Sequence, residues 1–205
     1  GGVQPFYDQA VFDRLAGLLP AGHATRDHSA DTEIRALAQL IEPQAANKVV
    51  RRALVERYGL CFPDGHFFED IFFHTMALAA AQRLSFAPSP MFTYHQGYGR
   101  AQLTADTGPR RLDFLAVARL TLQSAARSRW LDRPLYRSAV LASCLKLAEW
   151  CEHNTAALHR TTFRTALEGL LGLIDPRYRD FRRDSLLQLG VPVFGIDYMG
   201  EILDG

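Results

Sequence analysis

The spacing of apolar residues predicts a mixed first half and a helical second half. Between residues 6 and 19, Tyr7, Val11, Leu15 and Leu18 recur at helical spacing and share one face. Residues 20–30 are polar, contain Gly22 and predict a loop. Asp31 is placed to cap a short helix carrying Ile34, Leu37 and Ile41, which Pro43 ends. Residues 47–50 read as an extended entry into a helix over 51–58. Gly59 follows, where a helix ends in a left-handed residue. Leu60-Cys61-Phe62 predicts a brief strand, and Pro63-Asp64-Gly65 a turn. Residues 67–83 predict a helix that is apolar over most of its surface, hence largely buried. Residues 84–94 read as extended, broken by Pro88 and Pro90, and 95–108 as a Gly-rich loop.

After Pro109 the pattern turns to helix, at 110–127, 135–153, 161–174 and 178–189. The tail VPVFGIDYMGEIL reads as a strand or as a docking arm. The expected fold class is therefore α/β. A mixed but predominantly helical portion fills residues 1–108, and an all-helical region fills 109–205. No repeat period and no low-complexity run interrupts this division.

Composition narrows the function classes. The 205 residues are 48% hydrophobic and 22% charged, the profile of a globular chain with a real core. The net charge of +1 supplies no field to recruit nucleic acid, and aromatics do not interleave with a basic strip. Arginine dominates the basic residues; only Lys48 and Lys146 are lysines. Cys61, Cys144 and Cys151 are odd in number and lack framework spacing, which points to a reducing compartment. The opening GGVQPFYDQAVF has neither the basic region nor the apolar core of a signal peptide. No segment approaches the roughly 20 apolar residues of a membrane span. The expected location is cytoplasmic. Arg127, Arg129, Arg133, Arg137 and Trp130 form the one set suited to anionic headgroups at the inner face of a membrane, or else a solvated face.

The candidate chemistry centres on PDGHFFEDIFFHTM, residues 63–76. Glu69 and Asp70 stand between Phe68 and Ile71, where burial is expected. Acids in a first helical turn are favoured by unpaired N–H groups and the macrodipole, so the pair can be a cap. The same field keeps a carboxylate ionised, and one opening into a cleft is a ready general base for a hydroxyl. Phe67 and Phe68 would then floor an acceptor site. Spacing leaves both readings open. The loop YHQGYGRAQLT, residues 94–104, is polar, aromatic and Gly-rich; Arg100 in it could meet a phosphate, and His95 is the histidine best placed in a ligand loop. Cys144, Cys151, His153 and His159 invite a metal reading. However, His153 lies about 200° round a helix from Cys151, a poor start for tetrahedral ligation. Buried thiols are the default, and no metal-ligating residues are assigned. Phosphate-loop, nucleophile-elbow, His-Glu-x-x-His and Cys-x-x-Cys motifs are absent from the sequence.

Taken in order, Asn47-Lys48, Arg51-Arg52, Gly59-Leu60, Phe62, Gly65, Phe68-Glu69-Asp70 and Phe72-Phe73 make a series. It resembles the second half of family 2 glycosyltransferases, bacterial enzymes of the GT-A fold, with their F-x-x-G-x-x-x-E-D run. Phe92-Thr93-Tyr94 and the stretch from Arg100 to Thr104 continue the likeness, which covers residues 46–104. The resemblance implies that Asp70 is the catalytic base of an inverting transfer from a nucleotide sugar to a glycan or lipid-linked acceptor. It implies that Glu69 orients the base or touches the acceptor. Tyr94, His95 and Arg100 would lie near the donor phosphates, and a divalent metal, Mn or Mg, would stabilise the leaving diphosphate. Val3-Gln4-Pro5-Phe6-Tyr7 resembles the segment just after the family's Asp-x-Asp motif, with Gly1-Gly2 in the place of the acids. On that likeness the chain is the acceptor-side half, inert without a nucleotide-binding half. The alternative, from another class, is a non-catalytic helical interaction or oligomerisation module, a homo-oligomer whose Glu-Asp pair is a cap. A third reading is a degenerate transferase that binds a glycan without turnover.

Overall fold

One long apolar helix organises the chain. The computed structural model describes residues 9–25, 31–87, 106–180 and 182–204. Helix α6 (Pro134–Asn154) buries Tyr136, Val140, Leu141, Cys144, Leu145 and Cys151, a spread around its circumference rather than one stripe. Such a helix must be enclosed by others. Pro134 starts it in the first turn, where a missing N–H leaves no hydrogen bond unmade.

The enclosing helices are α1 (Gln9–Leu18), α2 (Asp31–Leu40), α3 (Arg52–Tyr58), α4 (Asp70–Ala80), α5 (Asp113–Ala125), α7 (Ala157–Leu171), α8 (Arg183–Gln188) and α9 (Val193–Asp204). Helix α2 makes the most extensive packing against α6, and α4 lies along α5. Ile34, Leu37 and Ile71 from before residue 108 share one hydrophobic core with Phe114, Leu141 and Phe163 from after it.

The expected mixed α/β class is not what the chain adopts. Among the described residues β pairing is confined to a single bridge between Ala24 and Ser85. The reason is local. Gly59 (φ 57°) closes α3 in a left-handed cap, and both its N–H and that of Leu60 bond to the Val55 carbonyl. The segment expected to be a strand therefore begins with its donor already spent. Phe62 then stacks on Phe73 at 4.3 Å, so the segment works as a turn joining two helices. The tail is not the strand that one reading expected, but it does pack back on the fold. It forms α9, because Ile196, Met199 and Ile202 recur at helical spacing and bury against α6.

Two buried arginines hold helix ends in place. Arg35 on α2 has no exposed surface; its guanidinium donates to the carbonyls of Leu78, Ala81 and Gln82 at 3.3, 2.9 and 2.8 Å. Those carbonyls lie at and beyond the end of α4, where intrahelical partners run out. Arg35 also lies 4.0 Å above the Trp130 ring. Arg137 donates to the Leu131 carbonyl at 2.9 Å and to Asp180 at 2.6 Å. Trp130 is 6% exposed and Arg137 is buried, so these two members of the headgroup set lie in the interior. No helix among the described residues is long and apolar enough to cross a membrane.

Candidate functional site

The approach to α4 is the most constrained stretch of backbone described. Gly65 (φ 75°) makes the turn that the sequence predicts. Phe68 also has a positive φ, 68°, and is the one non-glycine to do so among the described residues. A bulky residue there costs on the order of 1–3 kcal/mol and persists only where its surroundings hold it. The surroundings are aromatic: Phe68 meets Phe67, Phe114 and Trp150 edge-on, at 5.3, 5.9 and 6.0 Å. The strained residue thus hands the chain to Glu69 and Asp70 in a fixed direction. Glu69 occupies the cap position of α4 but its side chain makes no capping hydrogen bond. Asp70 is the first residue of the helix.

These residues open on a cavity of about 420 Å³, lined by Gly65 to Asp70 and by Arg110. Arg110 arrives from the 3₁₀ turn Pro109–Leu112 and lies 4.9 Å above the Phe67 ring. The two aromatics expected as a floor therefore divide their work. Phe67 carries a guanidinium on one face, and Phe68 anchors the wall to the core.

Asp70 is coupled to a half-buried charge cluster. The loop after α2 is pinned by Asn47, whose side chain donates to the Glu42 carbonyl at 2.7 Å. Lys48 donates to the Gln44 carbonyl and interacts electrostatically with both Asp70 and Glu42. Lys146, from the middle of α6, faces Glu42 as well. Burial pushes the Asp70 carboxyl above its usual range, neighbouring Glu69 adds to this, and the Lys48 ammonium opposes it. The expected hold of the helix terminus on the ionised form is thus outweighed. Burial likewise raises Glu42, against Lys146 and Lys48, and lowers Lys48 to about 8 against Asp70 and Glu42. Burial makes the Asp70 carboxylate a stronger proton acceptor than an exposed one, and the Lys48 ammonium favours its ionised form before it takes a proton.

His74 stands one turn along α4 from Asp70. It is 2% exposed, and its Nε2 lies 3.2 Å from the Gln39 carbonyl, which makes that nitrogen the donor. Gln39 in turn donates to Thr75 at 2.9 Å. Burial lowers His74 to about 3, and Lys48 and Lys146 add to the effect. The folded value lies below the usual 6.5, so the fold binds fewer protons than the unfolded chain between the two values. Stability from the neutral ring is full above pH 6.5 and is lost as pH falls toward 3. His74→Gln is expected to flatten that loss. In urea unfolding between pH 6 and 4, wild type should fall more steeply by up to about 1.4 kcal/mol per unit. Equal slopes would remove the assignment.

Asp70 and Glu69 are together at one cavity. Tyr94, His95 and Arg100 lie outside the described residues. Sequence reasoning missed Glu42, Lys48, Lys146 and Arg110 as members of the site. Lys48 and Lys146 are the only lysines of an arginine-rich sequence, but their nearness to Glu42 is visible only in the fold. Among the described residues no group of three His, Cys, Asp or Glu could hold a metal. Glu42 and Asp70 share their space with two ammonium groups, which is a poor fit to a divalent cation. Cys144 and Cys151 are buried free thiols, each pushed up to about 12 by burial. Comparisons with protein-family models, with curated proteins and with solved structures found no match.

Proposed function

We propose that the chain is the acceptor-side portion of an inverting, nucleotide-sugar-dependent glycosyltransferase, acting on a glycan or glycoconjugate hydroxyl. The observation that carries this reading is Asp70: a partly buried carboxyl on a 420 Å³ cavity, with Lys48 coupled to it and an uncommitted Glu69 beside it. Asp70 takes the proton of the acceptor hydroxyl. The freed oxygen forms a bond to the anomeric carbon of the donor as the bond from that carbon to the diphosphate oxygen breaks. Attack from the opposite face inverts the centre. Lys48 offsets the charge on Asp70 before the transfer, and Glu69 accepts a hydrogen bond from a second acceptor hydroxyl. The donor, and any metal it carries, belongs to a nucleotide-binding half. A cytoplasmic setting in polysaccharide synthesis fits this chemistry.

The helical packing of the described residues favours one competing reading, an interaction module in which the acidic pair only caps a helix. Glu69 speaks against it, because its side chain caps nothing. The deciding experiment is sugar transfer by a protein long enough to carry the donor-binding half, with wild type against Asp70→Asn. Loss of transfer with the fold intact supports the base; retained transfer removes it.

A further inference from the structure

The cavity has a second chemical wall that the base does not use. Glu69 and Asp70 lie on the α4 side; Arg110 reaches in from the turn before α5. Most neighbouring arginines are spent. Arg111 is buried, donates to the Asp106 carbonyl and lies 4.5 Å above Trp150, while Arg35 is committed to α4. Arg110 is exposed, and its side chain lies on the Phe67 ring without a hydrogen bond or ion pair among the described residues. It forms no ion pair with Glu69 or Asp70, although all three line one cavity. A guanidinium laid on an aromatic face is held in orientation while its N–H edge stays free. That edge matches the paired oxygens of a phosphate or carboxylate better than any ammonium could.

We propose that Arg110 binds a phosphate oxyanion, so that the ligand of this cavity carries a phosphate together with a hydroxyl. The inference rests on reading the cavity as the acceptor site and names its substrate class: a phosphorylated sugar or polyol. The charges fix the orientation. A phosphate is repelled by Glu69 and Asp70 and drawn to Arg110, which leaves the hydroxyl end at Asp70. The volume, about 420 Å³, suits one such unit. The same oxyanion chemistry could be supplied by the diphosphate of a donor.

The test follows the side-chain Nε–H resonance of Arg110 in the full chain during titration with three probes: sn-glycerol 3-phosphate, inorganic pyrophosphate and glycerol. Glycerol 3-phosphate is expected to shift it saturably and glycerol to leave it unmoved. Arg110→Gln should weaken glycerol 3-phosphate binding, followed by calorimetry, at least about tenfold. Exposed Arg119→Gln should leave binding unchanged. Arg110→Lys keeps the charge without the fork and should bind more weakly than wild type, which supplies the answer if the Gln variant misfolds. Saturation by pyrophosphate but not by glycerol 3-phosphate supports the oxyanion site and assigns it to a diphosphate. Failure of both phosphates to saturate, or undiminished binding by the Arg110 variants, overturns the proposal. Asp70→Asn keeps the phosphate wall, so it should still bind the probe even if the base assignment fails in the transfer assay.

Discussion

Asp70→Asn should lower sugar transfer by about 10²- to 10⁴-fold, the usual contribution of a positioned base. The substitution keeps shape and hydrogen-bonding capacity but cannot take the hydroxyl proton. Its effect on stability should run the other way. The folded carboxyl titrates above its ordinary 3.8 because burial, with Glu69 adding, disfavours the charged form. Ionising it therefore costs the fold a contribution that appears as pH rises from about 3.8 through the folded value. The Asn variant lacks this cost. Relative to wild type it should gain from acid to neutral pH and be at least as stable at pH 7. Transfer assays and urea unfolding on the same preparations check both halves. A variant that keeps more than about a tenth of the rate would sink the base; one that loses stability as pH rises, relative to wild type, would sink the electrostatic account.

Arg35→Met should produce the largest loss of stability, about 3–5 kcal/mol. Methionine fills much of the volume and can still lie on Trp130. It leaves the carbonyls of Leu78, Ala81 and Gln82 without the donors that now reach them. Losing a hydrogen bond to a charged donor costs about 1.5–3 kcal/mol; Leu78 and Ala81 are half-buried, while Gln82 is exposed and can turn to water. Domains are stable by only about 5–15 kcal/mol, so this variant should sit near the edge of folding. Arg35→Lys should recover little, because one compact ammonium cannot span three carbonyls. Equilibrium urea unfolding measures it. A loss under about 1 kcal/mol would mean that water or other donors replace the guanidinium.

The helices of the second half were legible because their periodicity is strong and their ends are marked. Pro134 opens α6, and Asp175 accepts from the Arg177 backbone N–H at 2.9 Å to start the turn that follows α7. The tail was not legible: Gly195 and Gly200 argue against a helix, and packing on α6 overrides them. Leu60-Cys61-Phe62 misled for a related reason. An apolar run says that residues are used in packing, not whether a second strand exists to pair with them. At the site, the acidic pair and its turn could be read because they are contiguous. Glu42, Lys146 and Arg110 could not, since helix packing gathers them from three distant segments. The backbone of Phe68 was also hidden, because only its three aromatic neighbours force it.

The scarcity of lysine gives the site a chemical handle. An amine-selective reagent finds two side-chain targets in the whole sequence, Lys48 and Lys146. Lys48, brought down to about 8, presents a neutral amine at mildly alkaline pH, where an ordinary lysine stays protonated. Acylation of Lys48 should therefore proceed at a pH below that needed for an ordinary lysine, a yield that peptide mass mapping reads directly. A label so placed would report from within a few side chains of the carboxylates, with no engineered residue needed to carry it.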